Sequence, residues 1–425
     1  SSSTSAVECQ LAPKSLDQNP NSSHARGILL AMSPPPPPDP SPGSSPALAD
    51  DAMREIFLRV PADDPKSLVR AAAVSTSWQS ILSDVVFTRQ YRAFHGAPPM
   101  LGFLHNIRHG RSWVKGINRR YEEYVVSDFV STASFRPPAC HKRCHWRALD
   151  SRHGLVLFHT PKGDEDFVIC DLVTYDQWGI KANDECSDII RHHQYDEGMP
   201  WNAAVLCGKD RCDHLYCHGG PFLLALVGCH KGQKGTFASV YSSVTHKWSE
   251  MVSIEEPIVV RISGQTAIVG EKVYFQGDHL GSIVEYNISE QELSVIYRPV
   301  EDKYNDLPDI DLMGVDNGML LVGTVVWPRL CLWSMDAGPN GAKEWACRRV
   351  IELKPLFPPR TPFSMSVSGF AEGLGVIFLT TRDGLYTVEL SSGQSKRIHS
   401  EQIFGNVVPY MSFYTRAWGR LPTSE

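Results

Sequence analysis

Residues 48–87 read LADDAMREIFLRVPADDPKSLVRAAAVSTSWQSILSDVVF, a stretch with the pattern of several short helices. Asp50 and Asp51 favour a helix start, because carboxylates accept hydrogen bonds from the free N–H groups there and suit the positive end of the helix dipole. Pro61 ends this first helix. Asp64-Pro65 starts a second one, with the Asp as its cap and the Pro in its first turn.

Apolar residues recur in this stretch at the three- and four-residue spacing of helices. The successive stripes are Met53, Ile56, Phe57 and Val60, then Leu68, Val69, Ala72 and Ala73, then Val74, Trp78, Ile81, Leu82 and Val85, and finally Phe87, Tyr91 and Phe94. Ser75 is placed to cap the third helix. Three or four short helices bury little surface on their own. We therefore expect their surplus of large apolar side chains to form a binding face.

The segment resembles the F-box domain in the order and spacing of its motifs. The family pattern has a leucine before an amphipathic helix that stops at a proline, then a leucine–arginine step, a valine followed four residues later by tryptophan, and a closing phenylalanine. Here these features are Leu48, Glu55–Pro61, Ser67–Arg70, Val74–Trp78 and Ile81–Phe87. Two departures, Ala49 for a proline and Ser75-Thr76 for the usual cysteine–lysine pair, leave the main apolar anchors in place.

The resemblance implies docking on a small Skp-type adaptor, which is carried by a cullin scaffold with a RING subunit. Transferred position by position, it predicts adaptor contacts at Leu48, Ile56, Phe57, Val60, Pro61, Leu68, Val74, Trp78 and Leu82. The alternative is a helical bundle that only packs on the neighbouring domain, since its apolar periodicity would be the same.

Residues 1–46 are rich in Ser, Pro and Asn and contain the run Pro34–Pro38. A proline run favours an open polyproline conformation, so we predict a disordered tail before an F-box domain at residues 47–95. A ligand for a proline-binding module is the alternative function of the run. The chain begins with Ser, and Met32 is a candidate for the natural start.

From residue 96 onward, short runs of β-branched and aromatic residues alternate with Gly, Asn, Asp and Pro. Such runs indicate an all-β sandwich, barrel or propeller. A loose repeat of two strands joined by a polar turn favours the propeller, because the last four copies are roughly 45–55 residues apart. The copies are Val168–Trp178, Val240–Trp248, Ile283–Ile296, Leu330–Val350 and Leu385–Ile398. At this spacing the length of the β region has room for six blades, with seven as the alternative, so the sequence predicts a six-bladed, kelch-like β-propeller over residues 96–425.

The β region also resembles the propeller domains that follow F-boxes in large plant families, at Tyr91–Phe103, Arg152–Leu157 and Cys212–Pro221. Together the two resemblances imply the substrate-recognition subunit of an SCF-type (Skp–cullin–F-box) ubiquitin ligase. The β region would hold a target protein, and the chain would have no catalytic site. The alternatives are an F-box protein that acts outside a ligase, and a propeller-based carbohydrate- or metal-binding protein or enzyme.

Charge and cysteine content indicate a compartment and exclude some partners. The chain has 41 Lys and Arg against 47 Asp and Glu, a net charge of −6, which argues against a general nucleic-acid binder. Its 11 cysteines lack the regular spacing of a secreted disulfide framework. No apolar run reaches the roughly 18 residues of a membrane span. We expect a protein of the cytosol or nucleus without a membrane partner.

The densest group of metal-ligand residue types is Cys207, Cys212, His214, Cys217 and His218. Zinc prefers thiolate and imidazole ligands, so this group is a candidate zinc site. No Cys-x-x-Cys pair is present, however, and the group lies between two strand-like runs. A strand–turn–strand with buried thiols is therefore the favoured interpretation.

Other candidate chemistry in the sequence is weaker. A second, weaker candidate zinc site is formed by Cys140, Cys144 and His145. The basic stretch Arg108–Arg120 is expected to be a charged blade face. The acidic residues do not have the spacing of an EF-hand loop. They are Glu301, Asp302, Asp306, Asp309 and Asp311. Because the sequence has no nucleophile elbow, phosphate loop or dinucleotide fingerprint, we predict no catalytic residue, metal or cofactor.

Overall fold

The computed structural model describes residues 50–109, 124–133, 135–137, 146–174, 176–192, 201–210, 212, 214, 220–230, 235–262, 264–277, 281–297, 310–337, 343–358, 365–400 and 405–413. The tail predicted at residues 1–46 lies outside this part of the chain. Within the described residues, no helix is both long and apolar enough to cross a bilayer.

Four short helices come first, as the apolar stripes predict. They are α1 (Asp50–Leu58), α2 (Pro65–Val74), α3 (Thr76–Ser83) and α4 (Val85–His95). The Ser75 hydroxyl caps α3 by accepting from the Trp78 N–H at 3.2 Å. Gly96 ends α4 at φ 71°, a left-handed conformation that costs glycine little. Asp64 occupies the N-cap position of α2 as predicted, but its carboxylate accepts from the Ser67 hydroxyl and makes no hydrogen bond to a backbone N–H of α2.

The helices share one apolar core, and the last described residue of the chain belongs to it. Phe57 lies edge-on to Trp78 and Phe87, with ring centroids 5.5 and 6.4 Å apart. Phe413, which follows the last strand, packs edge-on against Tyr91 at 6.3 Å. The helices and the β region therefore form one compact unit, Ala49–Glu425.

Six antiparallel sheets make up the β region, and each is one blade of a propeller. The closing blade joins β1 (Met100–His109) and β2 (Tyr124–Ser131) to β24 (Val407–Met411) from the other end of the region. Leu104 of β1 lies opposite Phe129 on one side and Val408 on the other. Pairing the first strands of the β region with the last one closes the ring.

The other five blades are formed by strands consecutive in the chain. The second is β3 (Arg147–Arg152), β4 (Leu155–His159), β5 (Phe167–Asp171) and β6 (Gln177–Ile180), and the third is β7 (Trp201–Cys207), β8 (Phe222–Cys229), β9 (Thr236–Ser242) and β10 (Lys247–Trp248), with β11 (Val252–Ile254) also paired to β9. The fourth is β12 (Thr266–Val269), β13 (Lys272–Gln276), β14 (Ile283–Asn287) and β15 (Glu292–Ile296). The fifth is β16 (Asp311–Asp316), β17 (Met319–Val326), β18 (Arg329–Ala337) and β19 (Lys343–Glu352), and the sixth is β20 (Met365–Ala371), β21 (Val376–Thr381), β22 (Gly384–Glu389) and β23 (Ser395–His399).

Neighbouring blades pack face to face through apolar side chains. Between the second and third blades, Leu157 and Ile169 share a cluster with Val205 and Leu226. Helix α5 (Asp184–His192) connects these two blades and adds Ile190 to the cluster. A short 3₁₀ turn, Lys354–Leu356, lies between the fifth and sixth blades. The predicted six-bladed propeller after a helical segment is confirmed.

The strand nearest the centre of the ring is β24 in the closing blade and the first strand in each of the other blades. Strand β24 contacts β3 and β20, β3 also contacts β7, and β12 contacts β16, which in turn contacts β20. Side chains at the ends of these inner strands therefore converge from several blades.

Candidate functional site

The residues predicted to face an adaptor fall into two groups in the structure. Phe57, Leu68 and Leu82 are buried in the core of the helices, and Val60 and Trp78 are partly buried against it. Ile56 is 49% exposed, Val74 is 67% exposed, and Pro61 is exposed as well. Leu48 lies outside the described residues. The exposed members offer surface directly, whereas the buried ones hold the helices that carry them.

The structure adds three exposed apolar residues that the sequence did not assign to a binding face. They are Val85 and Val86 in the first turn of α4 and Phe94 near its end. Among the described residues, nine large apolar side chains are exposed, and five of them lie on α1–α4. Single exposed apolar residues are ordinary, but a concentration on four short helices is typical of an interaction surface. Helical periodicity could have shown Val86 to be off the core stripe, whereas it groups Phe94 with Phe87 and Tyr91.

Polar contacts brace these helices against one another. Arg54 of α1 makes an ion pair with Asp84, the cap of α4, at 2.9 Å. The Tyr91 hydroxyl donates to the Val60 carbonyl at 2.9 Å, and burial raises the pKa of this hydroxyl well above its ordinary value. Tyr91 is therefore protonated and able to donate throughout the physiological range. These contacts hold together the helices that carry the exposed apolar residues.

A cavity of about 400 Å³ lies where α4 meets the inner strands of the propeller. Its walls come from the helices, from several blades and from the residues after β24. They include Arg92 of α4, Asp150 and Arg152 of β3, Thr266 of β12, Phe370 of β20 and Phe413. It lies where two parts of the fold meet, and ligand sites are often found at such junctions.

Arg152 is the most connected polar residue of this cavity. Its Nε donates to Asp150 at 3.3 Å, its Nη1 to Glu372 at 3.0 Å and its Nη2 to the Thr266 carbonyl at 2.7 Å. Burial alone lowers the pKa of Arg152, but the charges of Glu372 and Asp150 outweigh burial and raise it above its ordinary value. The guanidinium is thus permanently charged, and its described contacts join three blades.

The cysteine–histidine group identified in the sequence is partly brought together. Cys207 ends β7, and its sulfur lies within 4.8 Å of the ligand atoms of Cys212 and His214. Both cysteines are partly buried and His214 is exposed, so the expectation of buried thiols is wrong for this pair. Cys217 and His218 lie outside the described residues.

The remaining candidate groups are largely beyond the described part of the chain. This holds for Cys140, Cys144 and His145, for the acidic residues from Glu301 to Asp309, and for residues 110–120 of the basic stretch. Asp311 is described, and it makes an ion pair with Arg261 at 3.6 Å. An internal ion pair accounts for its charge without calcium.

Comparison with known proteins identifies the helical segment. The F-box domain model matches residues 46–90, which include α1–α3 and the start of α4. No curated protein matches the sequence significantly.

Three solved structures show weak similarity. The extracellular domain of BT4673 from B. thetaiotaomicron is 16% identical with a TM-score of 0.33, over 61% of this chain and 28% of that one. Apo AztD from Citrobacter koseri is 12% identical with a TM-score of 0.31, over 68% and 64%. A chain of the mitotic checkpoint complex is 9% identical with a TM-score of 0.32, over 62% and 80%. At this level we infer neither fold nor function from them.

The family match and the helical geometry agree on the same segment. The matched residues contain the cap at Ser75, the Val74–Trp78 step and the core around Phe57. Residues 46–90 are therefore an F-box domain, and the chain is an F-box protein whose β region forms a six-bladed propeller.

Proposed function

We propose that this chain is the substrate-recognition subunit of an SCF-type ubiquitin ligase. In this proposal the F-box helices bind a Skp-type adaptor, which links the chain to a cullin and a RING subunit, and the propeller binds a target protein. The observation that carries the proposal is the concentration of exposed apolar side chains on α1–α4, five of the nine in the described residues.

The exposed residues have the physical properties of an adaptor contact. Burying an Ile, Val or Phe side chain contributes roughly 1.5–3 kcal/mol when the side chain starts fully exposed. Ile56 and Val74 start at 49% and 67% exposure, so each contributes a part of that energy. Phe57, Leu68 and Leu82 act indirectly in this account, because they keep the helices in place from within the core.

The proposed mechanism is proximity. An adaptor-bound F-box and a target-bound propeller raise the effective concentration of a target lysine near ubiquitin carried by another subunit. Phe413, which follows the propeller, joins the propeller to the F-box helices. Its ring packs against Tyr91, and the guanidinium carbon of Arg92 lies 5.7 Å from the centroid of the Phe413 ring. This junction keeps the target in a defined orientation relative to the adaptor. The bond-forming chemistry belongs to the other subunits, and this chain is not an enzyme.

The setting of this function is the cytosol or the nucleus, where adaptor and cullin would meet the chain. The plant subclass stays a prediction from the resemblance of segments such as Tyr91–Phe103. Target contacts are expected on the loops at one face of the propeller, since loops can vary while the blades stay fixed.

A second candidate function follows from the cavity beside α4. A pocket of about 400 Å³ with paired charges at its wall can hold a small polar ligand, which would make the propeller a ligand-binding module. Binding of a small carbohydrate without any adaptor in the complex would favour this alternative.

The proposal is tested by affinity purification after proteasome inhibition, followed by mass spectrometry. The wild-type chain should recover a Skp-type adaptor, a cullin and one or more ubiquitinated targets. The Ile56→Asp/Val74→Asp double variant should lose adaptor and cullin but keep the target. Val244→Asp is the matched control, since Val244 is 66% exposed on the propeller, and it should recover all three. Recovery of adaptor without cullin would contradict the ligase role.

A further inference from the structure

The connection between β7 and β8 brings together three side chains that the ligase proposal does not use. Cys207 lies at the end of β7, and Cys212 and His214 follow it in the connection. The two sulfur atoms and a ring nitrogen all lie within 4.8 Å of one another. We propose that Cys207, Cys212 and His214 bind a zinc ion.

The distances suit zinc with little rearrangement. Zn–S bonds are about 2.3 Å and Zn–N bonds about 2.0–2.1 Å, so two ligand atoms of a tetrahedral site lie roughly 3.5–3.8 Å apart. The observed limit of 4.8 Å exceeds that by about 1 Å. Rotation of partly exposed side chains closes such a gap without moving the strand that carries Cys207.

The backbone beside Cys207 is held in place. Gly208 donates its N–H to the Pro221 carbonyl at 2.8 Å, and Cys207 pairs with Phe222 in the strand register. A Cβ on residue 208 would lie 3.0 Å from the Phe222 nitrogen, so glycine allows this close approach without a shift of the neighbouring backbone. The two ends of the β7–β8 connection are thus joined by a backbone hydrogen bond directly next to Cys207.

Two further contacts orient the ligands. The backbone N–H of His214 donates to the Cys212 sulfur at 3.4 Å. The His214 ring stacks on His153, with centroids 4.4 Å apart and planes 20° apart. Hydrogen bonds and packing around a metal site commonly fix the direction of its ligands in this way. Because stacked rings cannot both point a nitrogen at one ion, His153 is a positioning residue in this site.

The donor set indicates which metal. Two thiolates and one imidazole are soft or borderline ligands, which suit zinc and not the oxygen-preferring magnesium or calcium. Three protein ligands leave the fourth tetrahedral position for water or an external ligand. His214 also lines the cavity beside α4, so the ion would lie at its edge. The site is independent of the ligase proposal, because it uses none of the F-box residues.

Metal content of the purified full-length chain tests the proposal. Protein prepared under reducing conditions and supplied with zinc should retain about one ion per chain after dialysis, measured by elemental mass spectrometry. Cobalt should replace it and give the intense sulfur-to-cobalt charge-transfer absorption of thiolate ligands. Cys212→Ser and His214→Gln should each lose stoichiometric zinc and the cobalt spectrum.

Two matched variants guard against a general effect. Cys347→Ser removes an exposed cysteine on β19, and His246→Gln removes an exposed histidine that shares the positive φ of His214. Both should keep zinc, and circular dichroism should show every variant folded. The proposal is overturned if folded wild-type protein retains no zinc, if Cys212→Ser and His214→Gln both retain it, or if mass spectrometry shows a Cys207–Cys212 disulfide in the reduced preparation.

Discussion

Arg152 and Glu372 are 220 positions apart in the chain, yet the Nη1 of one donates to the Oε2 of the other at 3.0 Å. Arg152 ends the inner strand of the second blade, and Glu372 follows the inner strand of the sixth. Asp150 and Thr266 complete the set of acceptors. The closed ring is therefore held by polar contacts at its centre as well as by apolar packing between blades.

Replacing Arg152 with Met should destabilise the propeller by about 3–5 kcal/mol, because it leaves carboxylates in a poorly solvated site without their cation. The measurement is urea unfolding followed by tryptophan fluorescence. Arg329→Met is the control, since Arg329 pairs with Glu352 at 2.8 Å on the surface and should contribute less than about 1 kcal/mol. Equal losses of unfolding free energy in the two variants would show that the Arg152 contacts stabilise the protein no more than a surface ion pair does.

Gly314→Ala should also destabilise the ring, by about 1–3 kcal/mol. A Cβ at this position would lie 2.5 Å from the Oε1 of Glu372, which already accepts from the Val315 N–H at 3.0 Å. The same substitution in a Glu372→Ala background should cost less, because the clashing carboxylate is gone. A double-mutant cycle from denaturant unfolding measures the difference, and strict additivity would argue against this contact.

The buried His159 should make the protein less stable in mild acid. Burial, with a smaller effect of Arg147, lowers the pKa of His159 to about 3, whereas an unfolded histidine titrates near 6.5. Between these values only the unfolded chain binds the proton, so stability is unaffected above pH 6.5 and falls as pH drops toward 3. The slope reaches about 1.4 kcal/mol per pH unit.

The matching variant is His159→Leu, and the measurement is the urea midpoint at several values between pH 7 and pH 4.5. We expect the midpoint of the variant to fall less steeply with acid than that of the wild type. The comparison uses the slope, so any fixed loss from altered packing against Trp201, 4.9 Å away, does not affect it. Parallel curves would mean that His159 is protonated in the folded protein.

The cysteines of the propeller should differ sharply in reactivity. Burial, with a smaller contribution from Glu185, raises the pKa of Cys186 to about 12, so almost no reactive thiolate forms at pH 8. Cys347 is exposed. Brief iodoacetamide treatment and peptide mass spectrometry should find Cys347 alkylated and Cys186 unmodified until urea is added. Early labelling of Cys186 would show that it is not buried in the apolar cluster between the second and third blades.

The repeat pattern located the propeller because each copy corresponds to the outer hairpin of a blade. Val168–Trp178 contains most of β5 and the first half of β6, and Ile283–Ile296 spans β14 and β15. The closing blade escaped this pattern, since β1 and β24 come from opposite ends of the β region and share no local period. Five blades could be inferred from local sequence and the sixth from the length of the β region, but only the structure shows which strands form it.

The candidate sites were less predictable, for reasons that are also physical. Helical periodicity groups Ile56 with Phe57, yet one is half exposed and the other is buried. That difference depends on the side chains that meet Phe57 from other helices, Trp78 of α3 and Phe87 of α4. Arg152 and its acceptors likewise meet only after the ring closes, so no spacing in the sequence could indicate their contact.

Titration calorimetry of the purified chain with a purified Skp-type adaptor tests the central claim most directly. We expect tight binding by the wild type and at least about a hundredfold weaker binding by Ile56→Asp/Val74→Asp, because each introduced charge would lose its water in an apolar contact. Val244→Asp should bind like the wild type. Equal affinity of all three folded proteins would contradict the assignment of the exposed F-box residues as the adaptor surface.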